Sequence, residues 1–235
     1  MDRMSDEVMA AFEGENAKKY DQRRENMAAI KNALHFCMVP ILATLPENPN
    51  ILCVGAGSGD ELFALADIFP KAQFTVLEPS ADMMAVCRDK AEAKGVVHRC
   101  RFHTGYLESL DDMGPFDVAT SILVSQFCIR RGERAAFFKQ IFTRLKVGGL
   151  LINADLSAAL DSAEFKSLWP VWTCMLSGTN MLPDNAEKSL EVMKRNVLIS
   201  PASEVEALLR DSGFETPVQF FQTLLIHGWY AARVQ

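Results

Sequence analysis

Ile51-Leu52-Cys53-Val54-Gly55-Ala56-Gly57-Ser58-Gly59-Asp60-Glu61 is an apolar run that passes into three alternate glycines and then into a helical pattern. It reads as the first strand, tight turn and helix start of a nucleotide-binding α/β domain. Glycine suits such a turn because backbone without Cβ adopts positive φ and approaches a ligand closely, while the amides of the helix that follows offer hydrogen bonds. The spacing restricts the ligand. A dinucleotide fingerprint, G-x-G-x-x-G, would place glycine at position 60, which is Asp60. A Walker phosphate loop needs G-K-[ST], and that triplet is missing from the stretch.

The chain on the carboxyl side continues the α/β alternation. Leu62, Phe63, Leu65, Ala66 and Phe69 form an amphipathic helix with Pro70 beyond its end. A strand over 73–77 then ends in Glu78, 23 residues after Gly55 and followed by Pro79. An acid at the carboxyl end of a buried parallel strand can accept both hydroxyls of a ribose. Ser80 caps a helix through Met83, Met84, Val86, Cys87 and Ala91 that stops at Gly95. Further strands are expected at about 99–103 and 116–124, the second opened by Phe116-Asp117 and followed by Ser125-Gln126-Phe127. A helix over about 132–145 buries Ala135, Phe138, Ile141, Phe142 and Leu145, and Leu145-Lys146-Val147-Gly148-Gly149-Leu150-Leu151-Ile152 turns into strand five. Ser200-Pro201 opens a helix over 203–211, and two antiparallel strands, 214–221 and 224–233, complete the pattern.

In this order the glycine loop, Glu78, Phe116-Asp117 and the Gly148-Gly149 turn resemble class I methyltransferases that use S-adenosylmethionine, over about residues 50–235. The resemblance implies an α/β, Rossmann-like sheet, mostly parallel with an antiparallel C-terminal strand pair. N-terminal helices (1–47) would precede a methyltransferase domain (48–235) carrying a helical insertion after strand five (156–200). It implies that Gly55, Ala56, Gly57 and Gly59 hold the cofactor's amino-acid end. Glu78, with Pro79 beside it, would take the ribose, and Tyr106, Leu107 and Ile122 would lie at the base end. Three positions depart from the family pattern. Cys53 replaces an acid that often orders the loop or the cofactor amine, Tyr106 stands where an aspartate usually bonds the adenine amino group, and Ile122 stands where the family that makes carboxymethoxyuridine in tRNA has an asparagine.

The N-terminal segment has apolar residues at helical spacing, Val8, Met9 and Phe12, then Met27, Ile30, Leu34, Met38, Ile41 and Leu42. Between them, Tyr20-Asp21 followed by Arg24 resembles the stretch that folds over the cofactor in many small methyltransferases. A charged, solvated helix is the other reading. Pro46 and Pro49 break the pattern before the first strand. The insertion holds Trp169, Trp172, Met175, Met181 and Met193, with Gly178 and Pro183 as breaks. Its apolar surface fits a lid, a substrate wall or a homodimer interface.

The later half is similar to the family that makes carboxymethoxyuridine in tRNA. The likeness rests on Gln126-Phe127, Gly148-Gly149, Asn196-Val197, Ser212-Gly213-Phe214 and the Phe-Phe-Gln run at 220–222. Glu191, however, falls where an arginine would bind the extra carboxylate of carboxy-S-adenosylmethionine, and an acid there repels it. Arg195, one helical turn later, is the alternative cation.

A net charge of −6 argues against broad binding to a phosphate backbone. No apolar run has the ~18 residues of a membrane span, so a soluble, cytoplasmic protein is expected. Six scattered cysteines read as reduced packing residues. Neither they nor His98 and His103 have metal-ligand spacing. The expected activity is in-line methyl transfer from S-adenosyl-L-methionine to a small-molecule acceptor, which needs alignment more than a dedicated base. No catalytic residue is assigned; Tyr20, Arg24, Asp155, Trp169, Arg195 and His227 are the candidates facing the substrate. A tRNA-modifying enzyme using the carboxylated cofactor and a methyltransferase-like binding protein without turnover are the alternatives. A nicotinamide enzyme is disfavoured by Asp60.

Overall fold

The structure is a computed structural model that describes residues 4–110, 114–178 and 186–234. Met181 and Pro183 of the expected insertion lie outside them. Seven strands form one sheet, β1 (Asn50–Val54), β2 (Gln73–Glu78), β3 (Cys100–Thr104), β4 (Phe116–Ile122), β5 (Leu145–Leu156), β6 (Val218–Thr223) and β7 (Ile226–Ala232). Their spatial order is β3-β2-β1-β4-β5-β7-β6. β1 to β5 pair in parallel, and β7 runs antiparallel between β5 and β6. This is the Rossmann-like sheet with its antiparallel C-terminal pair. The order reverses between β1 and β4, so their carboxyl ends open a crevice where ligands of such sheets bind.

Ten helices are described: α1 (Asp6–Ala10), α2 (Gly14–Lys18), α3 (Tyr20–Arg23), α4 (Ala28–Ile41), α5 (Asp60–Ile68), α6 (Ala81–Ala93), α7 (Arg131–Arg144), α8 (Ala163–Ser177), α9 (Ala186–Asn196) and α10 (Ala202–Asp211). They cover both sheet faces, and alternation along β1 assigns its side chains. Ile51 and Cys53 pack with Leu34 and Met38 of α4, Leu62 and Phe63 of α5 and Trp172 of α8. Leu52 and Val54 pack on the other face with Phe138 and Ile141 of α7 and Leu208 and Leu209 of α10.

Several boundaries differ from the sequence expectation. The first helical segment is three short helices before α4. β4 stops at Ile122 because Leu123 takes a φ of +60° and turns the chain. The sixth strand begins four residues late. Phe214 leaves the helix end at Gly213 (φ +106°) to pack edge-on against Phe142 at 5.2 Å, and makes only a single bridge to Arg233. The insertion is closed at its base by the Ser157–Ser200 bridge, with Ser157 Oγ donating to the Ser200 carbonyl at 2.9 Å.

Candidate active site

A cavity of about 490 Å³ opens at the carboxyl ends of β1, β2 and β4. Its floor is the glycine loop. Gly55, Gly57 and Gly59 all take positive φ, and the amides of Gly55 and Ala56 donate to the Leu77 carbonyl at 2.7 and 3.0 Å, locking the loop onto the end of β2. A Cβ on Gly55 would lie 2.6 Å from Val124 Cγ2, whereas one on Gly57 would meet only Met83 Cε at 3.6 Å. Glycine at 55 is therefore a packing requirement, and at 57 chiefly a backbone one.

Glu78 is buried at the end of β2. One oxygen accepts from the Gly57 amide and the other from the Ser80 amide, each at 2.9 Å. Burial raises its carboxyl above the ordinary value, and the two amides offset part of that rise. The acid thus already stiffens the loop, and each oxygen keeps a further lone pair for a ligand hydroxyl.

The N-terminal segment is tied across this floor. Gly14 donates its amide to Asp82 at 2.6 Å, and Ser80 Oγ donates to the Phe12 carbonyl at 2.6 Å. Asp21 accepts from Ser58 Oγ at 2.6 Å and from Lys90 at 2.8 Å. Burial works against the Asp21 charge, but these two hydrogen bonds together with the charges of Lys90 and Lys31 outweigh it and hold its pKa below the ordinary value. Lys31 of α4 pairs with Asp60 at the start of α5. Phe12 packs between Tyr20 (5.9 Å) and Phe127 (5.8 Å), and the Arg24 guanidinium lies 5.8 Å from the Tyr20 ring. Burial holds the Tyr20 phenol protonated above its usual range.

The cavity brings together Tyr20, Arg24, Gly55, Ala56, Gly57, Glu78, Pro79, Tyr106, Leu107 and Ile122 from the sequence candidates. Gly59 stands behind the loop as the left-handed cap of α5. The Tyr106 hydroxyl points to Met9 Sδ at 4.0 Å. Residues with no special sequence signal join them: Lys31 and His35 on one face of α4, Asp60 and Glu61 in the first turn of α5, and Trp172, Leu176, Met193 and Asn196 from the insertion. Burial lowers the His35 pKa, with Asp60 opposing and Lys31 reinforcing the shift. Two buried polar atoms of this lining have no hydrogen-bond partner among the described residues, Glu61 Oε1 and Trp172 Nε1.

The other candidates lie elsewhere. Asp155 is fully buried and does not line the cavity; it accepts from Arg134 Nη2 (2.8 Å), Ser125 Oγ (2.6 Å), Asn153 Nδ2 (2.6 Å) and the Gln126 amide (3.1 Å). It is an anchor beneath the Ser125–Phe127 turn, because a fully buried carboxylate must be paired. Trp169 packs on Phe165 at 5.8 Å inside the core. Arg195 is absent from the lining, and Glu191 is on the outer surface of α9 beside Lys194 at 3.2 Å. Neither is set to meet a ligand carboxylate in the cavity. His227 lies within β7, stacked on Trp229 at 5.8 Å, as a strand residue. Among the described residues no three metal-ligating groups come together, and no helix is long and apolar enough to cross a membrane.

Residues 51–149, which carry this loop and Glu78, match the family model described as a methyltransferase domain. Over 81 residues the chain is 37% identical to the release factor glutamine methyltransferase of Chlorobaculum tepidum, covering 32% of this chain and 27% of that protein. Among solved structures, an O-methyltransferase candidate from Nostoc punctiforme superposes with a TM-score of 0.69 at 19% identity, over 96% of this chain and 60% of that one. A protein described as an S-adenosylmethionine-dependent methyltransferase from Methanosarcina mazei gives 0.61 at 17% identity, over 83% and 97%. Human N-acetylserotonin methyltransferase, solved with S-adenosylmethionine, gives 0.64 at 13% identity, over 98% and 60%. The chain thus spans about a quarter of the curated relative it matches. It has the fold of class I S-adenosylmethionine-dependent methyltransferases, and residues 51–149 are its match to the methyltransferase domain family.

Proposed function

We propose that the protein transfers a methyl group from S-adenosyl-L-methionine to a small organic acceptor. The observation that carries this reading is the glycine loop locked to β2 and bonded to Glu78, at the topological switch point and beneath a cavity of about 490 Å³. When bound, the cofactor supplies a sulfonium-activated methyl group. The chain's task is alignment and exclusion of water. The amides of Gly55–Gly59 would hold the amino-acid end, Glu78 the ribose hydroxyls, and Tyr106, Leu107 and Ile122 the base. Tyr20 and Arg24 would close over the cofactor, and the apolar wall of Trp172, Leu176 and Met193 would receive the acceptor. The net charge of −6, which opposes broad binding to a phosphate backbone, and the apolar character of that wall favour a small acceptor over tRNA. The neutral His35 ring is available as a base for an acceptor that arrives protonated. Among the described residues of the insertion, the exposed large apolar side chains open to a homodimer contact are Val171 and Val192, and Trp169 and Trp172 are buried within the chain.

Calorimetric titration of the full chain with S-adenosylmethionine and with S-adenosylhomocysteine tests the reading. Mass spectrometry of whatever small molecule is released on denaturation completes it. Saturable binding of both is expected. A flat titration would sink the proposal in favour of a binding protein without turnover, and recovery of the carboxylated cofactor would move tRNA to the front.

A further inference from the structure

The cavity's carboxylates are not equally served. Glu78 is bonded by two backbone amides. Asp60 pairs with Lys31 and has Lys90 at 3.7 Å. Glu61 is only 6% exposed and lines the same cavity, yet its Oε1 has no hydrogen-bond partner among the described residues. An unserved buried acceptor is destabilising, and a ligand donor would recover that cost. Burial pushes this carboxyl up to about 8, with its own backbone amide and Lys31 opposing and Asp60 and Glu78 reinforcing the rise.

Its neighbour explains why an acid is useful here. Cys53 points to the α5 side of β1 and stands where the family resemblance implies an acid. Burial keeps its thiol well above the ordinary value, the charge of Glu61 raises it further, and the thiol stays neutral. We propose that Glu61 receives the ammonium of the cofactor's amino-acid end, an acid moved from the end of β1 to the first turn of α5. This rests on the reading that the cavity holds S-adenosylmethionine. Lys31 and His35 from α4, Asp60 on the same helix, Glu78 from β2, Cys53 from β1 and Cys87 from α6 are the charged or titratable groups around it. The fixed cations beside them are Lys31, held by Asp60, and Lys90 of α6, held by Asp21 at 2.8 Å and 3.7 Å from Asp60. An ammonium arriving beside protonated Glu61 displaces the carboxyl proton to solvent, so binding near neutral pH releases a proton.

The test compares S-adenosylhomocysteine with 5′-methylthioadenosine, which keeps the adenosine and sulfur but has no amino-acid end. Both are titrated into the full-length protein and its Glu61→Gln variant. Loss of one charge-assisted hydrogen bond should weaken S-adenosylhomocysteine by about tenfold to a hundredfold in E61Q and leave 5′-methylthioadenosine unchanged. Wild-type affinity for S-adenosylhomocysteine should rise by up to about tenfold per pH unit below about pH 8, and that rise should vanish in E61Q. Titrations in buffers of different ionisation enthalpy read the released proton on the wild type alone. Glu61→Asp, which keeps the charge with a shorter reach, should fall between the two. Equal loss of both ligands in E61Q, or loss of neither, would overturn the assignment, as would wild-type binding without proton release. Wild-type protein that binds neither ligand removes the cofactor reading itself, a separately recognisable result.

Discussion

Asp155→Asn removes one charge from a fully buried site. Arg134 and Asp155 are both fully buried and 2.8 Å apart. The Arg134 Nε also donates to Ser125 Oγ at 2.9 Å, and Ser125 donates on to Asp155. Asparagine preserves the shape and can still accept from Ser125, but the guanidinium is left without a counter-charge. Breaking a buried pair from one side costs about 3–5 kcal/mol, against a total stability of about 5–15 kcal/mol. For a chain of this length each kcal/mol lowers the melting temperature by roughly 2–4 °C, so a fall of about 6–20 °C is expected. Urea unfolding of D155N, Arg134→Met and the double variant measures it. The double variant should recover part of the loss, because no lone charge remains. The folded fraction of D155N should bind S-adenosylhomocysteine as the wild type does. A loss below about 1 kcal/mol, or intact stability with abolished binding, would refute the anchor reading and return Asp155 to the chemistry.

Four other outcomes follow from the same geometry. The Glu61 carboxyl rises from an ordinary 4.5 to about 8 on folding. The folded state then holds a proton that the unfolded state gives up, and wild-type stability falls as pH rises between those values. At ~1.36 kcal/mol per pH unit, Glu61→Gln should be more stable by up to about 5 kcal/mol above pH 8 and by almost nothing below pH 4.5 in paired denaturant curves. Asp21 has a lowered carboxyl, so its bonds to Ser58 and Lys90 contribute above the ordinary value of 3.8 and are lost as pH falls through the folded one. Limited proteolysis should therefore cut the Asp21→Asn variant within the first 24 residues at neutral pH, and the wild type there only in acid. Gly57→Ala should cost only the ~1–2 kcal/mol of left-handed backbone, while Gly55→Ala should cost more because Val124 must move; equal melting temperatures would contradict this. Trp172→Phe keeps the cavity wall but removes its unserved N–H, so it should leave S-adenosylhomocysteine affinity unchanged and raise KM for an acceptor oxygen that the indole bonds.

The parts of the site that were legible in the sequence are those whose backbone dictates their residue type. Gly55 and Gly57 need positive φ, and Glu78 ends a strand that is buried from Phe74 onward, so each announces itself locally. Side chains brought in from other elements give weaker signals. Asp155 has the sequence signature of a strand-end acid, and only Arg134, 21 residues earlier on α7, makes it a buried anchor instead. Trp169 and Trp172 are three residues apart on α8, and only the second reaches the cavity. Cys53 is the sharper case. Read alone, it is a lost acid and a reason to doubt ligand binding. The period of β1 turns its side chain toward α5, where the first helical turn carries Glu61 with one oxygen unserved. A charge missing from one position of a motif is not missing from the site until the neighbouring element on that face has been read. Here the strand's alternation and the helix's first turn together put a carboxylate back beside the vacant position.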